Sequence, residues 1–249
     1  MKSCYPLLPL LIFFSFSAKA QESEILTKFP EVLDGTVRSI AIDEEMDRIY
    51  VSGDFTQLRE NNTEYRSFLG SFSEGENELI SETPGVNGKI RNVIEDGEGG
   101  KFILGDFTKV GVFDRSKIAH INADHEVTAF NPEIDGTVFD VHLDQAKGVL
   151  YVAGNFETVD GMERKNFCAF DFSTYDLIPF DPTVNGPVRD IEQRGDTIFI
   201  GGQFSGVGEI KKLSVIYNPD TKEVGDNGPF SNRAITAATP DGEGGWYIA

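Results

Sequence analysis

The chain has 249 residues, with 41 acidic against 22 basic side chains and a formal net charge of −19. That balance excludes nucleic acid and anionic membrane as natural partners. The length is ample for a buried core, and two cysteines leave little scope for a disulfide framework.

Residues 1–20 read as a secretory signal. Lys2 gives a positive start, Leu7 to Phe16 is a short apolar run, and Ala18-Lys19-Ala20 is a small-residue cleavage site. The run is too short to span a bilayer. Cleavage is expected before Gln21, leaving Cys168 as the single thiol and a net charge of −21, since Lys2 and Lys19 are lost. The expected location is secreted, periplasmic or cell-surface, with no membrane span.

Residues 21–249 are organised by one phrase. It reads Tyr50 to Phe55 (Tyr-Val-Ser-Gly-Asp-Phe), then Phe102 to Phe107, Tyr151 to Phe156 and Phe199 to Phe204. It begins again at Tyr247, and the unit length is about 48 residues. Each unit divides into four β-like runs. The first follows an Asx-Gly turn, at Asp34-Gly35, Asn87-Gly88, Asp135-Gly136 and Asn185-Gly186, with a weaker fifth copy over 232–237. The second is the phrase itself, preceded in two units by the hairpin signals Asp96 to Gly100 and Asp241 to Gly245. The third covers 66–72, 116–122, 165–171 and 212–218, and the fourth 78–81, 126–129 and 175–178. Helical periodicity is thin. Four short strands per unit predict an all-β chain, a β-propeller of four-stranded blades comprising four blades and the start of a fifth, cut short at Ala249. The phrase glycine suits a close backbone approach, the phenylalanine suits packing between blades, and the polar residue between them suits a bond to turn backbone.

These features resemble the delta-60 repeat family, exported bacterial β-propeller repeats with no assigned activity. The likeness rests on the phrase, on Lys117 to Asp124, on the Phe130-Asn131-Pro132 turn and on the restart at Asp135 to Val138, and it covers residues 24–249. Fungal cortical-marker proteins carry similar propeller repeats. Gln203 in place of the acid, Arg233 in place of the turn glycine, and an insertion around Glu60 to Thr63 depart from the pattern. The resemblance implies a fold and a compartment but no reaction.

Candidate chemistry is sparse. His120 and His125 flank Asp124 without a third ligand at zinc spacing; no metal site, cofactor or catalytic triad is expected. Cys168 stands at a packing position of the repeat. Asp96 to Gly100 reads as a hairpin turn rather than a calcium loop. Arg194-Gly195-Asp196 is an exposed-turn RGD tripeptide, and Asn61-Asn62-Thr63 is a glycosylation sequon. The first run carries Arg38, Arg91 and Arg189 in phase, with Phe139 and Thr236 at the same position and Ser39, Asn92, Asp140 and Asp190 next to it. Guanidinium groups in phase are candidates for an anionic ligand such as a carboxylate-bearing sugar; their alternative use is pairing with Asp140 and Asp190 between blades. The expected function is a monomeric, non-catalytic module binding a protein or glycan. The alternatives are a carbohydrate-active hydrolase or lyase using acids at the propeller mouth, and a spacer before a further C-terminal domain.

Overall fold

A computed structural model describes residues 31–43, 46–59, 67–73, 79–80, 82–221, 223–225 and 233–249. The signal segment and the sequon at Asn61 to Thr63 lie outside these residues. All elements among them are strands, and no helix is long and apolar enough to cross a membrane.

Each unit forms one antiparallel meander. The first, second and third strands are Val37–Asp43, Arg48–Gly53 and Leu69–Ser73 in unit 1, and Lys89–Glu95, Lys101–Asp106 and Ile118–Ile121 in unit 2. In unit 3 they are Thr137–Asp144, Val149–Asn155 and Phe167–Asp171, and in unit 4 Val188–Arg194, Thr197–Gly202 and Ser214–Asn218. Among the described residues, the fourth run is a full strand only in unit 4, Glu223–Gly225. In units 1 to 3 it is a single bridge, at Leu79, Val127 and Leu177. Unit 5 is the hairpin Ala238–Pro240 with Trp246–Ile248. Its first strand begins later than the expected 232–237, although Thr236 and Ala237 already bond the backbone of Ala249.

The first strands of successive units lie side by side, so the sheets stack face to face about one wall, as blades of a β-propeller do. The apolar core accordingly lies between blades. Phe102, Leu104 and Ile118 of unit 2 pack with Val141, Leu150 and Phe170 of unit 3. Ala153 and Phe167 of unit 3 pack with Ile191, Ile200 and Val215 of unit 4. The phrase phenylalanines Phe55, Phe107, Phe156 and Phe204 are all buried. A side chain on the phrase glycine Gly53 would sit 2.0 Å from the Thr36 carbonyl oxygen, and one on Gly154 would sit 2.2 Å from that of Thr137; no other residue fits.

One element is absent from the sequence-based description. A two-residue hairpin follows the phrase, Lys109–Val110 with Phe113–Asp114 in unit 2 and Thr158–Val159 with Met162–Glu163 in unit 3. Bridges Val86–Val110, Ile134–Val159 and Val184–Val207 tie it to the segment that precedes the first strand. The Asx side chain holds this corner. Oδ1 of Asp34 accepts from the backbone N–H groups of Thr56 and Gln57, at 2.7 and 2.9 Å. Asn87, Asp135 and Asn185 repeat the bond pair with Thr108 and Lys109, Glu157 and Thr158, and Ser205 and Gly206. Carboxylates so bonded are held below their usual range: for Asp34 chiefly by Thr56, for Asp135 chiefly by the Glu157 amide. Among the four turn glycines, only Gly35 has a positive φ, +68°. Gly136 is required for contact instead, because a side chain there would meet the Asn155 carbonyl oxygen at 2.0 Å.

Candidate functional site

The rim where first strands begin and second strands end carries the polar groups that differ from unit to unit. The register of the first strand in units 1 to 4 slips there by one residue, between Val37 and Ser39, Ile90 and Asn92, Val138 and Asp140, and Val188 and Asp190. The bulged residues are Arg38, Arg91, Phe139 and Arg189. A bulge re-aims its side chain, and here the guanidinium meets the polar residue of the phrase in its own unit. Arg38 Nη2 lies 2.7 Å from Asp54 Oδ2, Arg91 pairs with Asp106, and Arg189 Nη2 donates to Gln203 Oε1 at 2.9 Å. The arginines therefore pair within blades, not with Asp140 and Asp190 between them. Asp54 also accepts from the Thr36 N–H, the turn bond expected of it. Its carboxyl is held below the usual range, first by Arg38. In unit 3 phenylalanine replaces arginine and Asn155 replaces the acid. The Phe139 ring instead lies 4.0 Å from the Arg189 guanidinium of the next blade, a cation–π contact.

The residue after each bulge joins the blades. Ser39 Oγ donates to Asn92 Oδ1 at 2.7 Å. Asp140 Oδ2 accepts from Ile191 N–H and Asp190 Oδ2 from Ala238 N–H, each at 2.8 Å. Packing among the first strands pushes the Asp140 carboxyl up to about 8, with the neighbouring Asp190 adding to the rise. Burial lifts Asp190 to about 6 and Glu192 to about 7. Asp140 and Asp190, candidates for glycoside chemistry by type, are occupied as inter-blade acceptors.

Beside this rim, a cavity of about 620 Å³ opens between units 3 and 4. Asn155, Glu157, Lys165 and Thr183 supply its polar groups, and Phe156 and Pro187 contribute apolar wall. Lys165 Nζ reaches Glu163 at 2.9 Å. Neither the cavity nor its polar set was singled out by sequence reasoning.

The remaining sequence candidates are structural. His120 Nε2 bonds Asp96 Oδ2 at 2.8 Å, and its ring packs against Phe102 and Phe172. Burial, then Lys101 and Arg48, lower the His125 imidazole. Asp96 Oδ1 closes its hairpin by accepting from Glu98 and Gly100 N–H groups, and Asp241 does the same with Glu243 and Gly245. Cys168 is fully buried and its thiol is pushed up by desolvation. In the RGD tripeptide, Arg194 donates to the Gly244 carbonyl oxygen and lies over the Trp246 ring of unit 5, so its guanidinium is tied to the next blade. Lys101 is buried, with Nζ 4.1 Å from the Tyr50 ring centre, and desolvation lowers it to about 8.

No protein-family model matches the chain, and no curated protein sequence is similar to it. Solved structures are. A β-propeller in the crystal structure of a nidogen/laminin complex superposes with a TM-score of 0.51 at 13% identity, covering 86% of this chain and 72% of that one. Raptor from Chaetomium thermophilum superposes with a TM-score of 0.51 at 13% identity; 80% of this chain is covered, against 17% of the Raptor chain. At such identity the likeness concerns the fold alone, and the fold is an all-β propeller.

Proposed function

We propose that the chain is an exported, non-catalytic interaction module that presents the strand-start rim to a carboxylate-bearing glycan, with Arg38, Arg91 and Arg189 as the anion-recognising groups. Export rests on the leader-like residues 1–20, and the resemblance to delta-60 repeats accords with it. The single observation that carries the reading is the bulge. Three guanidiniums stand at the same bulged position of three blades, on one rim of a strongly acidic chain. Arg38 keeps 47% of its side chain exposed, and Arg189 faces a neutral amide rather than a carboxylate. A planar donor fork with surface to spare suits carboxylate binding. The nidogen propeller, which belongs to a protein complex, accords with an interaction role. The use of Asp140 and Asp190 as inter-blade acceptors supports a structural role for these two acids.

The test is a glycan array bearing uronate- and sialate-containing oligosaccharides, probed with the full chain and with the Arg38→Gln/Arg91→Gln/Arg189→Gln variant. The variant is expected to lose acidic-glycan signal at least tenfold while its Tm stays within a few degrees. No acidic glycan retained by the parent chain, or equal retention by the variant, refutes the reading.

A further inference from the structure

The repeat supplies its own control for what a blade needs, and unit 3 departs from it around one cavity. After the phrase phenylalanine, units 1, 2 and 4 carry a hydroxyl: Thr56, Thr108 and Ser205. Each hydroxyl bonds the Asx side chain of its corner, Thr56 to Asp34, Thr108 to Asn87 and Ser205 to Asn185. Unit 3 has Glu157 instead. The structural bond has moved one residue on, to Thr158 Oγ1, which donates to Asp135 Oδ2 at 2.9 Å. Glu157 thus has no part in holding the corner by its side chain. Its carboxylate makes no hydrogen bond with another described residue and stands in the field of Lys165. Asn155, where units 1 and 2 have Asp54 and Asp106, likewise has its side-chain amide unbonded among the described residues. Its usual partner, the bulge arginine, is Phe139 here. Lys165 stands where units 1 and 2 have Ser67 and Ser116 and unit 4 has Lys212, so the departure peculiar to unit 3 is Glu157 with Asn155. All three line the 620 Å³ cavity between units 3 and 4, a volume in the range of small-ligand sites.

We infer that this cavity is a saccharide site, taking a neutral, hydroxyl-rich oligosaccharide. Glu157, Asn155 and Lys165, the last already paired with Glu163, offer acceptors and donors, and with Asp135 the lining is net negative, which suits hydroxyl pairs rather than an anion. Pro187 gives apolar wall for a sugar face. Strand addition by a peptide calls for an open sheet edge, and the backbone at this cavity is already bonded. Gly154 N–H goes to the Asn166 carbonyl at 2.9 Å, and the Glu157 and Thr158 N–H groups go to Asp135. The inference rests on the same rim being the binding face, but on different residues from the arginines.

Restoring the repeat's own residues provides variants that keep the fold: Glu157→Thr, Asn155→Asp and Lys165→Ser. On an array of neutral and uronate-bearing oligosaccharides, the full chain is expected to retain a neutral oligosaccharide. Each reversal should weaken that retention at least tenfold. No neutral oligosaccharide retained, or retention indifferent to all three reversals, overturns the inference. Retention of uronate-bearing glycans alone, abolished by the arginine variant, overturns the cavity site and leaves the arginine reading standing. Retention of neutral oligosaccharides alone supports the cavity and sinks the arginine reading.

Discussion

Single residues in this propeller are decided by the strand they stand on, and Asp140 is the clearest case. Its carboxyl is both a required acceptor for Ile191 N–H and a group that its surroundings hold up at about 8. An acid whose folded pKa exceeds its unfolded value binds its proton more tightly when folded. Every pH unit between about 4 and about 8 therefore removes stability. Asp190 and Glu192, at about 6 and about 7, act in the same direction over the lower part of that window. Asp140→Asn keeps an acceptor oxygen and abolishes the titration. Thermal unfolding at pH 5 and pH 8 should show the parent losing on the order of 3 kcal/mol more than the variant across the interval. An equal loss in both would place the titration elsewhere. The bulge arginines show where sequence reading reaches its limit at this scale. Their phase was visible, but strict alternation along a strand cannot reveal a one-residue slip. The partners Asp54, Asp106 and Gln203 emerge only when the bulge is seen. The pairing then explains the phrase: the acid accompanies arginine in units 1 and 2, and Asn155 accompanies Phe139.

At the scale of the element, what repeated with side-chain pattern was legible and what repeated only as backbone was not. The first three runs of units 1 to 4 match the observed strands to within about three residues, because alternating apolar residues mark each of them. The post-phrase hairpin escaped because strands of two residues carry no periodicity. Its signal was the Asx residue of the turn, whose side chain reaches forward some 22 residues to close the corner. Cavity residues Asn155, Glu157 and Lys165 were also missed, although the departure of Asn155 and Glu157 from the repeat was present in the sequence. Reading repeats for likeness hides differences. The phrase glycine was read for the right reason, and it tests the architecture. Gly154→Ala forces a methyl to within 2.2 Å of the Thr137 carbonyl oxygen and 2.8 Å of the Phe156 ring, which should cost about 3 kcal/mol or more. Gly161→Ala, in open space at φ +73°, should cost only about 1 kcal/mol. Urea midpoints separate the two, and equal shifts would contradict the close approach as the reason for the glycine.

The described residues form a row of blades in which each inner blade contributes half of two interfaces, so stability is set by neighbours. Unit 3 has both. Val141 and Leu150 pack toward unit 2, Ala153 and Phe167 toward unit 4, and its first strand is stapled to Ile191 by Asp140. Unit 1 has one neighbour among the described residues. Ile40 is 59% exposed, whereas Val93, Val141 and Ile191 at the same repeat position are each 3% exposed. Among the described residues, unit 5 packs on unit 4 alone, through Ile235 and through Trp246 tilted against Phe199 at 4.8 Å, and leaves Tyr247 67% exposed. Ala237 also stands there where Asp140 and Asp190 form staples, so its outward side lacks that bond. Local opening should therefore be graded along the row rather than uniform. Native-state hydrogen exchange followed by mass spectrometry on the full chain should find the Val149–Asn155 strand slowest, the Arg48–Gly53 strand faster, and the Trp246–Ile248 strand fastest. Asp190→Ala, which cuts the staple to Ala238, should accelerate unit 5 several-fold and leave Val149–Asn155 unchanged. Exchange of all five units at a single rate, moving together in the variant, would show instead that the blades unfold as one cooperative body and that the inter-blade carboxylates bind the row globally.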